Sequence, residues 1–264
     1  MRKLIQITAI AFLFIACEEV VVLDLNEIEK KLVVEASVSN RPGMVDVALS
    51  YSQGFYDEPQ QVLLTNASIT LSSSRGLREL LVLNDQDHYV SGNIDPEGGE
   101  VFTLNIEVDD IQVEVSTTLP EPVPIAQVDF VPNPFWGSND SLNVFVSVND
   151  PKGSDNFFRL MVNHYGMVSP GEYYLLDDTF GKDGIISMPV YYKTFKPGDT
   201  VVVSLWHLAP ELYSYYTSLS NNIGGSFNSI APGNPESNLP DDVYGFFKGY
   251  SIDQDTLIVP RFPF

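Results

Sequence analysis

Short runs in which apolar and polar residues alternate recur along this chain, and turn-forming residues separate them. The run at 45–51 reads Val-Asp-Val-Ala-Leu-Ser-Tyr, and the runs at 67–72 and 101–108 alternate in the same way. Successive side chains of a β-strand point to opposite faces, so a period of two is typical of strands that bury one face. The sequence therefore predicts a mainly β protein.

The first half of the chain contains enough of these runs for one β-sandwich. Strand candidates lie at 32–38, 45–51, 67–72, 77–83, 89–90, 101–108 and 111–116. Only Asp109-Asp110 separates the last two runs, which predicts a tight hairpin between them. Short strands at this spacing predict an Ig-like β-sandwich over residues 31–119.

A proline-rich stretch divides the chain. Residues 119–124 read Leu-Pro-Glu-Pro-Val-Pro, and alternating prolines favour an extended, semi-rigid backbone. We therefore predict a linker at 120–124 and a second domain over 125–264. This second domain is predicted to be β-rich and sandwich-like, with one short helix near 210–222 that begins at Pro210. Its strand candidates lie at 142–148, 157–164, 173–176, 190–192, 201–207, 243–251 and 256–259.

The N-terminus has the layout of a secretory signal peptide. Basic Arg2-Lys3 precedes a mostly apolar stretch that ends at Ala16, and Cys17, the only cysteine in the chain, follows. A small residue before a cysteine resembles the lipobox of bacterial lipoproteins, in which that cysteine is acylated. We predict a signal peptide at 1–16, lipidation of Cys17 and a tether at 17–30.

Two alternatives remain open for this segment. One is a membrane anchor, although the apolar stretch has roughly 13 residues where a transmembrane helix needs about 20. The other is a signal peptide with an incidental cysteine, but a lone thiol in an exported protein has no disulfide partner, which favours modification.

The run at 20–25 reads Val-Val-Val-Leu-Asp-Leu and is too apolar for a free tether, so we predict that it packs as a strand.

Charge restricts the partners of the chain. Its formal net charge is −21, with 35 acidic and 14 basic residues. Nucleic-acid binding needs a basic surface, and so does attraction to anionic lipid through a basic patch. We therefore expect no nucleic-acid partner, and we expect membrane association through the lipid anchor alone.

No motif in the sequence points to catalysis. The chain lacks G-x-S-x-G, H-E-x-x-H, a P-loop and C-x-x-C. His88, His164 and His207 are far apart on different predicted elements and are interpreted as strand-end or sheet-face residues. The acidic loop at 177–184 departs from the EF-hand spacing and contains Lys182, so we interpret it as a solvated turn rather than a calcium site. We predict no enzyme activity, no catalytic residue, no metal site and no cofactor.

Aromatic residues are concentrated in the second half. The pair Phe135-Trp136 lies in the turn-rich segment 132–139, where burial between two sheets is least expected. Exposed aromatic rings suit stacking on a sugar or packing in a protein interface. We predict that Phe135 and Trp136 contact a ligand or partner.

Blocks of residues in a fixed order along the chain carry a family resemblance. They are Cys17-Glu18-Glu19, 22–25, 31–35, 116–120, 195–199, 213–216, 232–238 and 245–247. On these blocks the chain resembles the domain-of-unknown-function 4249 family of Bacteroidota outer-membrane lipoproteins. The family has no assigned catalytic residues. Its members are often encoded near SusC-type TonB-dependent transporters, and the resemblance implies that Glu18 and Glu19 form a signal for export to the cell surface.

Three functional hypotheses follow. The leading one is an outer-membrane lipoprotein, facing the cell exterior, that acts as a non-enzymatic accessory subunit of a SusC-type transporter or a related barrel complex. The alternative is a surface lipoprotein that binds glycan or peptide on its own. The third is a hydrolase with an unrecognised site.

Overall fold

Strands dominate the architecture. The computed structural model of the protein describes residues 29–43, 45–54, 62–92, 94–132, 141–151, 155–167, 172–223 and 234–261. The strands there are β1 (Leu32–Ser39), β2 (Val45–Tyr51), β3 (Ser68–Ser73), β4 (Arg78–Leu80), β5 (Val82–Leu83), β6 (Tyr89–Val90), β7 (Val101–Val108), β8 (Ile111–Thr118), β9 (Ile125–Pro132), β10 (Leu142–Asn149), β11 (Phe157–His164), β12 (Tyr174–Asp177), β13 (Gly181–Lys182), β14 (Ile185–Phe195), β15 (Thr200–Leu208) and β16 (Tyr244–Ile258). Helix α1 covers Pro210–Ile223, and a short 3-10 helix covers Asp178–Phe180. The predicted mainly β fold with one short α-helix is confirmed.

Three sheets organise these strands. An eight-stranded sheet has the order β12-β11-β15-β16-β1-β2-β6-β5, and two four-stranded sheets have the orders β13-β14-β10-β9 and β4-β3-β7-β8. The eight-stranded sheet contains strands from both halves of the chain. Each four-stranded sheet packs on one part of it, which produces two β-sandwiches that share a sheet.

The long strand β16 joins the two sandwiches. Its first half pairs in parallel with β1, from Val33 opposite Tyr244 to Ser39 opposite Tyr250. Its second half, from Tyr250 to Ile258, pairs antiparallel with β15, with Tyr250 opposite Leu208 and Ile258 opposite Thr200. One strand therefore carries the hydrogen-bond ladder from the N-terminal sandwich into the C-terminal one.

Two apolar cores fill the sandwiches. In the first, Val34 and Val47 of the shared sheet pack with Ile69 and Leu104 of the facing sheet, and all four are fully buried. In the second, Val144 of β10 packs with strands β11 and β15. Burying one such side chain contributes about 1.5–3 kcal/mol, so the cores are the main stabilising features of a chain without disulfides.

The C-terminal segment completes the first core. Leu239, Val243 and Phe247 belong to the core of the N-terminal sandwich, although the sequence prediction assigned all of 125–264 to the second domain. A strand that returns to pair with β1 from more than 200 residues away leaves no local signal in the sequence. The boundaries of the predicted domains stay a prediction, whereas the shared strand is a structural observation.

The predicted linker is fixed against the shared sheet. Val123 is buried, and the carbonyl oxygen of Glu121 accepts a hydrogen bond from Nδ1 of His207 at 2.7 Å. The carbonyl oxygen of Pro120 accepts another from the hydroxyl of Ser251. Residues 120–123 are thus bound to β15 and β16 along the seam between the sandwiches.

Most strand predictions agree with the structure, but several differ. Strands β9 and β13 were not predicted, and the predicted run at 77–83 is two short strands, β4 and β5. Strand β14 extends well beyond the predicted 190–192, and β16 is one strand where two were predicted. The hairpin at Asp109-Asp110 is present, with Asp109 at a φ of 51°. Within the described part of the chain, none of the helices has the length and apolarity that a membrane crossing requires.

Candidate functional site

Side chains of the eight-stranded sheet alternate between the cores and the opposite side, which we call the outer face. In β1, Val34 and Ala36 are buried, and Val34 is central to the first core. Glu35 and Ser37 therefore point to the outer face, because neighbouring strand residues project in opposite directions. The sequence pattern of β1 thus places a carboxylate and a hydroxyl on the side of the sheet that faces away from the core.

Register brings further polar groups beside them. Ser37 is aligned with Lys248 of β16 on one side and with Asp46 of β2 on the other. Glu35 is aligned with Phe246 of β16. Cross-strand partners share a face, so Asp46, Ser37 and Lys248 form a row across three adjacent strands. Residues from positions 37, 46 and 248 meet only because β16 pairs with β1.

A cavity of about 360 Å³ opens at this row. Its lining residues are Glu35, Ala36, Ser37, Asp46, Ala48, Leu63, His88 and Lys248. The volume is at the small end of the range for ligand cavities in proteins, about 300–1,000 Å³. We call this space the outer-face cavity.

A tight turn positions His88 over Asp46. The side-chain oxygen of Asn84 accepts hydrogen bonds from the backbone N–H groups of Gln86 at 2.9 Å and His88 at 3.0 Å. Asp87 within this turn has a φ of 60°, a conformation that Asp and Asn tolerate. The turn leaves Nδ1 of His88 at 2.9 Å and 3.0 Å from the two carboxylate oxygens of Asp46. The Asp46 carboxylate is therefore engaged within the protein.

Among the described residues of the cavity lining, Lys248 and His88 are the basic ones. Its side chain is partly buried, and this burial lowers its pKa, while the Glu35 and Asp46 carboxylates act in the opposite direction. Among the described residues, no carboxylate lies within 4.0 Å of the Lys248 ammonium group. The cavity thus holds a partly desolvated cation close to, but not in contact with, two acidic side chains.

An aromatic cluster borders the cavity where α1 packs on the outer face. We use this name for Tyr173, Trp206, Tyr213, Tyr215, Tyr216, Phe246 and Tyr250. The ring of Tyr215 lies 4.7 Å from that of Phe246, and Trp206 stacks on Tyr250 with ring centroids 4.1 Å apart and planes 7° from parallel. Burial and the charge of Glu35 raise the pKa of Tyr215. This cluster therefore reaches the acidic side of the outer-face cavity.

Arg159 lies at the centre of the aromatic cluster. Its guanidinium carbon is 4.3 Å from the ring centroid of Tyr173, 4.8 Å from that of Trp206 and 4.7 Å from that of Tyr216. Cation–π contact with three rings offsets part of the cost of burying the charge. The cluster is a packed structural unit that fixes α1 beside the cavity.

A second cavity of about 410 Å³ lies on the other side of Tyr215, along segment 234–245. Tyr244 lines it, and the ammonium group of Lys31 lies 5.0 Å from the centroid of the Tyr244 ring. Asn238 holds the segment in place, since its side chain accepts from the N–H of Phe247 at 3.0 Å and donates to the carbonyl of Phe247 at 2.9 Å. Prolines, backbone turns and aromatic rings line this second cavity, and its described lining has fewer charged residues than that of the outer-face cavity.

A family model described as Domain of unknown function (DUF4249) matches residues 18–256. This chain belongs to the DUF4249 family. The match includes both sandwiches and every residue that lines the outer-face cavity. No curated protein matches the sequence of this family member.

Two solved structures are similar to this DUF4249 protein, both at low TM-score. A two-domain fibronectin type-III segment from chicken tenascin is 12% identical, covers 88% of this chain and 100% of its own, and gives a TM-score of 0.24. The chicken interferon gamma receptor alpha chain is 8% identical, covers 89% of this chain and 100% of its own, and gives a TM-score of 0.25. These TM-scores are too low to support an argument about function.

The site residues predicted for this DUF4249 protein lie outside the described residues. This applies to the lipidated Cys17, to the export signal Glu18 and Glu19, and to the contact pair Phe135 and Trp136. The run at 20–25 is also outside them. All of these assignments stay predictions.

The histidines and the acidic loop have local partners. His164 lies 3.3 Å from a carboxylate oxygen of Asp199 through Nε2, and His207 bonds to the linker. Asp177 caps the short 3-10 helix by accepting from the N–H of Thr179 at 2.9 Å, and it also accepts from the hydroxyl of Tyr213 at 2.9 Å. Across the described ranges, no group of three or more His, Cys, Asp or Glu side chains is arranged to hold a metal ion.

Sequence reasoning missed the residues of the outer-face cavity. Lys248 interrupts an otherwise apolar and aromatic run, Gly-Phe-Phe-Lys-Gly-Tyr, and this was the one available signal. Glu35 occupies the polar position of an alternating strand, which is ordinary for a surface residue. Glu35 and Lys248 are close only because β1 pairs in parallel with β16, and no local sequence pattern in either strand predicts that pairing.

Proposed function

We propose that this DUF4249 protein is an exported, lipid-anchored, non-enzymatic binding protein. In this proposal it acts at the exterior of the outer membrane as an accessory subunit of a SusC-type TonB-dependent transporter or a related barrel complex. The outer-face cavity is the observation that carries the binding role. The N-terminal sequence and the family resemblance support the membrane role.

The anchor rests on the order of residues before Cys17. A basic start, a short apolar stretch and a small residue at the cleavage point are features of a secretory signal peptide, and Ala16 directly before Cys17 resembles a lipobox. Several acyl chains on one cysteine hold a protein to a bilayer far more firmly than the marginal binding of a single chain. With Glu18 and Glu19 as the export signal, the sandwiches face the medium.

The geometry favours binding over catalysis. Ser37, His88 and Asp46 line the same cavity, but in the described part of the chain no hydrogen bond joins Ser37 to His88. Strand β1 is paired on both sides, with β2 and β16, so the backbone around Ser37 is committed to the two ladders. An acyl-transfer site needs backbone N–H groups that point at the developing oxyanion. The described residues of this cavity supply polar contacts without that arrangement.

Co-purification tests the barrel partnership. The full chain, expressed in its own host and extracted in mild detergent, is expected to elute with a β-barrel membrane protein. Cys17→Ala is expected to release the chain from the membrane fraction, whereas Gln6→Ala, which leaves the cysteine in place, is expected to remain anchored. Recovery of the anchored chain as a lone monomer contradicts the partnership.

The alternative function is a surface lipoprotein that binds a ligand on its own. The charged outer-face cavity favours this alternative because a ligand can bind there without a second protein. Ligand binding by the isolated chain, together with no barrel protein in the co-purification, would select it. Broad screening for turnover of ester, peptide and glycoside substrates addresses the hydrolase hypothesis, and we expect no turnover.

A further inference from the structure

Two oppositely charged side chains of the outer-face cavity, Glu35 and Lys248, form no ion pair with a described residue. Glu35 is exposed, and Lys248 is partly buried. Asp46, the other acid of the lining, is held by His88 through two close contacts. A ligand in the cavity therefore meets Lys248 as the available cation and Glu35 as the available anion.

Register fixes how far apart these two charges are. Lys248 is aligned with Ser37, and Glu35 is two residues from Ser37 on the same face of β1. Paired strands lie about 4.8 Å apart and rise about 3.3 Å per residue, so the Cα atoms of Glu35 and Lys248 are roughly 8 Å apart, and long side chains can converge over that distance. A small molecule that carries an ammonium group and a carboxylate group on the same carbon atom can contact both side chains at once.

Charge argues against ligands of a single sign. An anion in the cavity is repelled by Glu35, by Asp46 and by the net charge of −21 on the whole chain, whereas a cation is attracted by these charges but is repelled by Lys248 and leaves that ammonium group without a counter-charge. A neutral ligand leaves the partly desolvated Lys248 ammonium without a counter-charge, which is costly away from bulk water. A zwitterion satisfies both side chains.

The remaining lining suits a small apolar group. Leu63 and Ala48 supply apolar surface beside the charges, and the volume of about 360 Å³ restricts the ligand to a small molecule. Apart from Asp46 and His88, which contact each other, the described lining thus combines one cation, one anion and a small apolar wall.

We propose that the outer-face cavity binds a free α-amino acid with an apolar side chain, with its carboxylate at Lys248 and its ammonium group at Glu35. This inference rests on the proposed role of the cavity in binding, and it adds the chemical class of the ligand. It does not depend on a barrel partner.

Calorimetric titration of the full chain in mild detergent tests the ligand class. The probes are L-leucine, N-acetyl-L-leucine, which lacks the positive charge, L-leucinamide, which lacks the negative charge, and glucose as a neutral polar control. L-leucine is expected to bind at least about tenfold more tightly than either derivative, because each derivative loses one ion contact. Glucose is expected not to bind.

Two substitutions locate the site. Lys248→Met and Glu35→Gln keep side-chain size and remove one charge each, and both are expected to weaken L-leucine binding by about tenfold or more. Lys182→Met and Glu107→Gln alter exposed residues on β13 and β7 and serve as matched controls with unchanged affinity. Thermal unfolding of each variant establishes that it is folded before titration.

Three outcomes overturn the inference. They are equal affinity for L-leucine and its two derivatives, no binding of L-leucine up to about 10 mM, and L-leucine binding that survives both cavity substitutions. Failure here with intact barrel co-purification refutes only the ligand assignment. Amino-acid binding without a barrel partner refutes only the accessory role.

Discussion

Arg159 of β11 donates a hydrogen bond from Nη1 to the hydroxyl of Tyr216 in α1 across 3.1 Å. Arg159 is 7% exposed and Tyr216 also 7%, so this contact lies inside the protein. It joins the edge region of the shared sheet to the helix that borders the outer-face cavity. The position of α1 therefore depends on the hydrogen bond between Arg159 and Tyr216 inside the aromatic cluster as well as on apolar packing.

Removing Arg159 is expected to destabilise the protein. Arg159→Ala deletes contacts with three aromatic rings and the packing of the apolar stem, for an expected loss of about 2–4 kcal/mol in the free energy of unfolding. Urea denaturation at neutral pH measures it. Arg78→Ala on β4 is the matched control, because Arg78 is exposed and its loss is expected to change stability by less than about 0.5 kcal/mol. Equal effects of the two substitutions contradict a role for Arg159 in holding α1.

Ionisation of the Tyr216 hydroxyl is expected to make the free energy of unfolding depend on pH in the alkaline range. Burial, as the largest cause, raises the pKa of Tyr216 from 10.0 to about 12, with Arg159 acting in the opposite direction. A raised pKa in the folded state means that stability is fully present below pH 10 and is lost as pH rises towards 12. The expected loss is on the order of 2 kcal/mol between these limits.

Tyr216→Phe isolates this effect. The variant is expected to lose about 1 kcal/mol at neutral pH, where the hydrogen bond is missing, and to show a smaller decline between pH 10 and 12 than the unsubstituted protein. Tyr165→Phe is the control, because Tyr165 is 70% exposed. Parallel pH profiles for the unsubstituted protein and Tyr216→Phe contradict the assignment.

Local sequence patterns predicted much of the fold, but they could not predict which distant strands pair with each other. Alternation identified β2 and β7, and proline at position 210 identified the start of α1, because these signals lie within a few residues. The parallel pairing of β1 with β16 joins segments more than 200 residues apart. No periodicity within either strand specifies such a partner. Lys248 and Glu35 therefore became neighbours only in the folded chain, which is why the sequence did not reveal the outer-face cavity.

Lys248 is expected to lower the free energy of unfolding even though it contributes to ligand binding. Burial lowers its pKa, so the folded protein disfavours the charged form, and stability is expected to rise with pH from the lowered pKa up to 10.5. At neutral pH, Lys248→Met removes an incompletely compensated charge and keeps the side-chain length. Its free energy of unfolding is expected to equal or exceed that of the unsubstituted protein. Lys182→Met, at an exposed position, is expected to have no effect, and a loss of more than about 1 kcal/mol in Lys248→Met indicates a structural role instead.

Asn238 is expected to be the most sensitive polar residue of the C-terminal segment. β15 pairs with β16 only from Tyr250 onward, so the backbone of Phe247 on that side lacks a strand partner and bonds to the Asn238 side chain instead. The same side chain donates to the carbonyl of Ser116 in β8 at 3.2 Å, which ties both sheets of the first sandwich together. Asn238→Ala leaves these backbone groups unsatisfied and is expected to cost about 2–3 kcal/mol in thermal or urea unfolding. Asn105→Ala, on an exposed position of β7, is the matched control, and an equally small effect at both positions contradicts the role of Asn238.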